Sequence, residues 1–191
     1  FFFCLSIQSL EGACRTLPQD LRDFSKVFVV PAAAFMYNGQ QQFTMLLRDS
    51  KCKERKQVMS YSVQNIRDVC LLGHGGNGKT SLAESMLFLT GGTPRLGNPA
   101  DGNTVCDYDP EETRRQISIS TAVAPIEYNG CKINVLDTPG YFDFSGEVVE
   151  AMQVSDAAII VCSAKGGMSV GAEKAWKLCQ RRNMPRLLYI S

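Results

Sequence analysis

The chain has 191 residues, of which 45% are apolar and 20% charged, with a net charge of +1. That balance is globular and sets aside a disordered chain or one whose overall charge would draw it to nucleic acid or an anionic membrane. No apolar run approaches the ~20 residues that span a bilayer, and the eight cysteines form no C-x-x-C pair, which sets aside zinc-ribbon and thioredoxin-type chemistry.

Residues 1–58 show no sustained helical or strand period. They hold the Gln40–Gln42 run, a Pro31–Ala34 piece and a basic run from Arg48 to Lys56. The expectation is a poorly structured extension, or translated sequence upstream of a start at Met59. The apolar opening, Phe1 to Leu10, lacks a basic leader, and a degraded signal peptide is the alternative reading. The basic run reads as a solvated surface, with a nucleic-acid arm as its rival.

From Ser60 the pattern changes, and residues 59–191 read as a partial domain. Val69–Gly73 is a short apolar run ending in glycines, a buried strand entering a turn. A helix follows over Lys79–Thr90, with Leu82, Met86 and Leu89 at helical spacing, Ala83 and Leu87 widening the stripe, and Gly91-Gly92 as the stop. Residues 93–112 are rich in Gly, Pro, Asn and Asp and read as a long exposed loop, a kind that is usually functional or mobile. Alternation at Ile117, Ile119, Thr121 and Val123, and again at Cys131, Ile133 and Val135, predicts two strands. Asn129-Gly130 between them suits a type I′ hairpin, because both residues accept positive φ. Gly146–Val154 reads as a helix and Ala157–Ala164 as an apolar strand. Ser169–Asn183 is a helix with Ala172, Trp176 and Cys179 on one face, and Arg186–Ile190 a last strand. Cysteines inside these apolar runs read as buried free thiols of a reducing cytosol. The element order predicts an α/β fold: a mostly parallel sheet with one antiparallel hairpin strand and helices on both faces.

Gly73–Thr80, "GHGGNGKT", is G-x-x-x-x-G-K-T placed between a predicted strand and a predicted helix, the context a phosphate-binding loop requires. Gly73, Gly75, Gly76 and Gly78 let backbone N–H groups turn inward around an anion, with His74 and Asn77 between them. The helix N-terminus adds partial positive charge. Lys79 would reach the β- and γ-phosphates and Thr80 would offer a hydroxyl to Mg²⁺, with Ser81 next in line. His74, the only histidine, is either a metal or general-base group or, more plainly, a packed loop residue. The loop alone does not choose among ATPases, kinases and GTPases. Asp137-Thr138-Pro139-Gly140 narrows the choice: Asp137 ends a strand predicted to lie beside the first, where it would hold the Mg²⁺ shell through water. Gly140, with no side chain, lets its N–H approach and sense a γ-phosphate.

These pieces resemble, in order and spacing, the G domain of translational GTPases, and most of all elongation factor G. "GHGGNGKT" is similar to that family's phosphate loop, "ETRRQISI" (Glu112–Ile119) to its first switch and "DTPGYFDF" (Asp137–Phe144) to its second. The likeness covers roughly residues 66–191 and implies a P-loop NTPase G domain that binds GTP/GDP and Mg²⁺ and hydrolyses GTP on the ribosome. It further implies a cytoplasmic monomer that contacts the ribosome through domains outside this chain and has no membrane partner. Lys79, Gly140 and Tyr141 would be the catalytic set; Thr80, Ser118 and Asp137 would organise Mg²⁺.

Some positions depart from the family. Ser118 stands for a Thr, Gln116 for a Gly, Gly76 for an Asp, and Tyr141 for the His that orients the attacking water. A phenol, with a pKa near ~10, is neutral at pH 7. Tyr141 either positions a water weakly or only packs over the turn. Ser191 falls where the family's guanine-reading Asn-Lys-x-Asp would begin, so the expectation is a C-terminally incomplete G domain. Ser163-Ala164-Lys165 spells the family's later base element but lies too early and reads as the loop after a strand. Elongation factor, release or ribosome-protection factor, and a GTP-binding ribosome-associated regulator with weak hydrolysis all remain open at this point; an ATPase or kinase is the distant rival.

Overall fold

The computed structural model describes residues 27–31, as backbone, and 61–191. Six strands form one sheet: β1 (Val27–Pro31), β2 (Ile66–Gly73), β3 (Ala122–Tyr128), β4 (Cys131–Asp137), β5 (Ala157–Cys162) and β6 (Arg186–Ile190). Their order is β1-β6-β5-β2-β4-β3. Every neighbouring pair is parallel except the β3–β4 hairpin. Four helices complete the described part: α1 (Lys79–Leu89), α2 (Pro110–Arg115), α3 (Ser145–Val154) and α4 (Val170–Arg181).

The sheet is covered on both faces because β2 and its neighbours are apolar on both. Cys70 and Leu72 point to one side, where they meet Ile160, Met152, Trp176 and Cys179 from β5, α3 and α4. Leu71 points to the other, with Val135, Val161, Ala124 and Ile126, and there α1 sets down Leu82, Ala83 and Leu87. Full burial of one such Leu or Ile stabilises by about 1.5–3 kcal/mol relative to exposure, so the two clusters fix β2 as the central strand. The α1 N-terminus and the C-terminal end of β4 then meet at one edge of the layer. Asn129 and Gly130 both have positive φ, 50° and 75°, as the hairpin expectation requires.

Three elements differ from the sequence reading. The stretch 93–112, expected as a long exposed loop, runs into helix α2 from Pro110, and its Cys106, Asp107 and Glu112 are buried. Residues 117–121, whose alternation predicts a strand, are not one: β3 begins at Ala122. Their backbone donors are taken by side chains instead, Ile119 N and Ser120 N by Glu112 Oε1 at 2.8 and 3.0 Å and Thr121 N by Glu147 Oε2 at 2.8 Å. Val27–Pro31, in a stretch with no predicted strand, pairs with β6 at the sheet edge. The remainder of 1–58, with the Met59 start, the basic run and the apolar opening, lies outside the described residues. Ser163–Lys165 is the loop after β5, closed by a Gly167 N to Ser163 O bond of 2.9 Å.

Candidate functional site

The loop between β2 and α1 is shaped by its glycines. Gly78 caps α1 with φ 87°, a conformation that side-chain-bearing residues avoid. Asn77 ties the loop down: its Nδ2 donates to Val161 O (3.0 Å) and to Ser169 Oγ (3.3 Å), anchoring it to the end of β5 and the start of α4. Lys79 folds back so that Nζ donates to Gly73 O (3.3 Å) and His74 O (3.1 Å). His74 contributes its carbonyl to this loop, while its ring packs 6.0 Å from that of Phe142 at 53°. Its Nδ1 is buried without a hydrogen-bond partner, so the ring behaves as a packed loop residue.

Opposite the loop stands the turn after β4. β2–β4 pairing sets Asp137 beside Leu71. Thr138, fully buried, donates from Oγ1 to Leu71 O at 2.6 Å, and Pro139 is fully buried next to it. These two hold the turn rather than face the cleft. Gly140 is then brought so near the phosphate loop that a Cβ there would collide with Gly75 N and Lys79 Nζ. Only glycine fits there.

A cleft of about 230 Å³ opens between these parts, lined by Gly75, Gly76, Gly78, Lys79, Thr80, Ser81, Gly140 and Tyr141 together with Asp107 and Ser118 from the 93–121 segment. Thr80 Oγ1 and Ser118 Oγ lie 3.1 Å apart, and Ser118 Oγ donates to Asp107 Oδ1 at 2.7 Å. Asp137 is 1% exposed, and neither of its carboxylate oxygens has a hydrogen-bond partner. Desolvation pushes its pKa up to about 7, with Thr80 and the Lys79 charge pulling the other way. Burial likewise lowers the Lys79 pKa, opposed by Asp137 and Asp107. A buried carboxylate left unpaired is costly. A hard cation beside it removes that cost, and the donor set of carboxylates and hydroxyls is the oxygen chemistry Mg²⁺ takes. The protein supplies few ligands: among the described residues no group of three or more His, Cys, Asp or Glu could hold a metal by itself. Phosphate oxygens and waters would complete the shell.

Of the sequence-derived residues, Gly75, Gly76, Gly78, Lys79, Thr80, Ser81, Ser118, Gly140 and Tyr141 line this cleft, while Gly73, His74, Asn77, Asp137, Thr138 and Pro139 do not. Asp107 and the buried Glu84 escaped the sequence reading, and the buried Glu112 entered it only as the first residue of the segment that resembles the first switch. The Asp109-Pro110-x-Glu112 spacing carried a signal for one of them, a capping box: Asp109 accepts from Glu111 N at 2.7 Å and Glu112 Oε2 accepts from Asp109 N at 3.2 Å. Gln116, standing for the family's Gly, ends α2 in the left-handed region at φ 55°, a conformation glycine adopts without strain.

Comparison with known proteins agrees with this geometry. The family model of the elongation factor Tu GTP binding domain matches residues 64–191. The chain is 37% identical over 134 residues to a mitochondrial ribosome-releasing factor 2 of Candida albicans, covering 70% of this chain and 17% of that protein. It is 40% identical over 126 residues to an elongation factor G-like protein of Mycobacterium tuberculosis, covering 66% and 18%. A crystal structure of a Thermus thermophilus protein superposes with a TM-score of 0.64 at 42% identity over 65% of this chain and 19% of that one. The chain thus spans less than a fifth of the length of the relatives it matches. With a matching domain over most of its length and a mostly parallel sheet carrying one antiparallel hairpin, the chain belongs to the elongation factor Tu GTP-binding domain family.

Proposed function

We propose that the protein binds GTP and GDP with Mg²⁺ and hydrolyses GTP as an elongation factor G-like factor acting on the ribosome. The observation that carries this reading is the meeting of Lys79, Gly140, Thr80 and Ser118 around one cleft, with the unpartnered Asp137 buried within electrostatic reach of Lys79. Lys79 would offset phosphate charge, the backbone N–H groups of the loop and the α1 N-terminus would cradle the phosphates, and Gly140 N–H would sense the γ-phosphate. Thr80 and Ser118 hydroxyls and the Asp137 carboxylate would hold Mg²⁺, which when bound neutralises charge on the phosphate oxygens. The reaction then needs a positioned water, and Tyr141, which lines the cleft at 44% exposure, stands at the place the resemblance assigns to that task.

Tyr141 favours a second reading within the same class, a release- or protection-type factor or a regulator that hydrolyses slowly and dwells in the GTP state. A phenol positions a water through one hydrogen bond but supplies no positive charge at neutral pH. In either reading the protein acts as a monomer in the cytoplasm. No helix among the described residues is long and apolar enough to cross a membrane.

Calorimetric titration of GDP, GTP and ADP, with Mg²⁺ and with EDTA, tests the binding site. Single-turnover hydrolysis with and without ribosomes separates the two readings. Ribosomes should accelerate hydrolysis strongly in the first and weakly in the second. No nucleotide binding in either buffer would overturn both.

A further inference from the structure

Glu84, on α1, is 0% exposed. Glutamates are almost never fully buried unless paired, yet among the described residues no cation pairs with this one. Its Oε1 instead accepts two backbone N–H groups, Val105 N at 2.6 Å and Cys106 N at 3.0 Å. Its Oε2 has no hydrogen-bond partner and faces Gly97, where a Cβ would collide with it. Both contacts lie on the 93–121 segment, so α1 grips that segment through one side chain.

The grip sits next to the metal-organising atoms. Asp107 follows Cys106 directly, accepts from Ser118 Oγ at 2.7 Å, and Ser118 Oγ lies 3.1 Å from Thr80 Oγ1. Thr80 is four residues before Glu84 on α1, so both project from the same side of the helix. On the far side of Ser118, Glu112 Oε1 accepts Ile119 N and Ser120 N. The Asp107–Ser118 pair is therefore suspended between two buried carboxylates, and only Glu84 comes from the helix that carries Thr80.

We propose that Glu84 is a positioning residue, a latch that docks the Asp107–Ser118 arm onto Thr80 and so governs how firmly the segment closes over a Mg²⁺-bound nucleotide. Glu84 touches neither ligand; it acts by fixing the backbone at 105–106. The inference rests on the nucleotide-site reading above for its functional consequence, but the latch itself is a property of the free protein. What it requires is an acceptor oxygen at Oε1. Glu84→Gln keeps one, with its amide oxygen in that place, whereas Glu84→Ala removes it and Gly97→Ala pushes the carboxylate aside.

The test has two readouts on the full chain. In the nucleotide-free protein, amide hydrogen exchange at Val105 and Cys106 should quicken by about tenfold or more in Glu84→Ala and stay near the parent in Glu84→Gln, since two bonds to a side-chain oxygen are lost in one and kept in the other. Dissociation of a fluorescent GDP should then be measured with excess Mg²⁺ and with EDTA. Glu84→Ala should lose most of the slowing that Mg²⁺ gives, with the EDTA rate unchanged, while Glu84→Gln keeps it. Gly97→Ala should follow Glu84→Ala and stands in for it if that variant fails to fold. Unchanged exchange in both Ala variants overturns the latch. So does a Glu84→Ala rate raised equally in both buffers, which is the mark of a merely structural role, or a Glu84→Gln variant as impaired as Glu84→Ala. If the parent binds no nucleotide, the functional reading falls by itself, and the exchange data alone still decide for or against the latch.

Discussion

The Tyr141 ring lies directly against Gly75: a Cβ on that glycine would stand 2.9 Å from Tyr141 Cε2 and 3.1 Å from Cζ. The missing side chain in the phosphate loop is thus the seat of the aromatic ring in the opposite turn. Gly75→Val should push the ring out toward solvent. Tetranitromethane modification of Tyr141, read by mass spectrometry, should rise about threefold or more from its present half-exposed state, since overpacking forces side chains off their rotamers. Equal modification in parent and variant would show that the ring does not depend on that seat.

Lys79→Ala should abolish tight nucleotide binding and leave the fold intact. The ammonium is a point charge facing a polyanion, and its loss should cost about 3 kcal/mol or more, a hundredfold or greater in affinity. Stability should change little, because removing a desolvated charge relieves a penalty while Gly73 O and His74 O lose their donor and Asp137 loses a neighbouring charge. Thermal melts and calorimetry check the two halves. Affinity within twofold of the parent would remove the phosphate-loop assignment.

How the site was legible follows from how local its parts are. The phosphate loop lies within eight consecutive residues, so strand, glycines, lysine and helix could be read together. Asp137 beside Leu71 needed the hairpin to return its second strand, β4, against β2 and leave the next strand in sequence, β3, at the edge. Asp107 was not legible because its meaning depends on Ser118, eleven residues on across an irregular stretch. Residues 117–121 misled because alternation reports an extended chain with two environments, not a ladder. Here Ile119 and Ser120 bond a carboxylate where a strand would bond another strand. Glu84 was lost to the apolar stripe of α1: Leu82 and Leu87 are buried as the period demands, but Glu84 is more deeply buried than Met86 or Leu89, which stay partly exposed. Val27–Pro31 lies in a stretch with no sustained period to announce a strand, and it pairs with β6 at the sheet edge.

Asp137→Asn should make the nucleotide-free protein more stable at neutral pH. Burial raises the Asp137 pKa to about 7. Below about pH 4 the carboxyl is protonated in folded and unfolded chains alike and costs nothing. Between about pH 4 and pH 7 the folded state holds a proton that the unfolded state has released, so stability falls as pH rises, and above about pH 7 the loss is complete. The variant, having no proton to lose, should melt higher than the parent at pH 7.5, by an amount on the order of 1–3 kcal/mol, and converge with it near pH 4. Melts in EDTA across that range measure it. A variant less stable than the parent at pH 7.5 would mean that the carboxylate has a partner after all.

Tyr141→His should raise ribosome-stimulated GTP hydrolysis by about tenfold or more, with GTP affinity little changed. The phenol lines the cleft with Gly140, where it can hold a water through its hydroxyl, but a phenol brings no positive charge. An imidazole at the same place brings a group that gains positive charge near neutrality, and preorganised charge of this kind is worth about 2–4 kcal/mol in other active sites. The gain must be in kcat, because the difference between the two groups acts mainly in the transition state. Tyr141→Phe separates the hydroxyl from the ring: if the hydroxyl positions the water, this variant should hydrolyse more slowly than the parent while the ring keeps its seat on Gly75. Single-turnover rates with and without ribosomes give both comparisons. Equal rates for parent, Tyr141→His and Tyr141→Phe would show that the ring only packs over the phosphate loop, and the slow-hydrolysis reading would then have no residue to carry it.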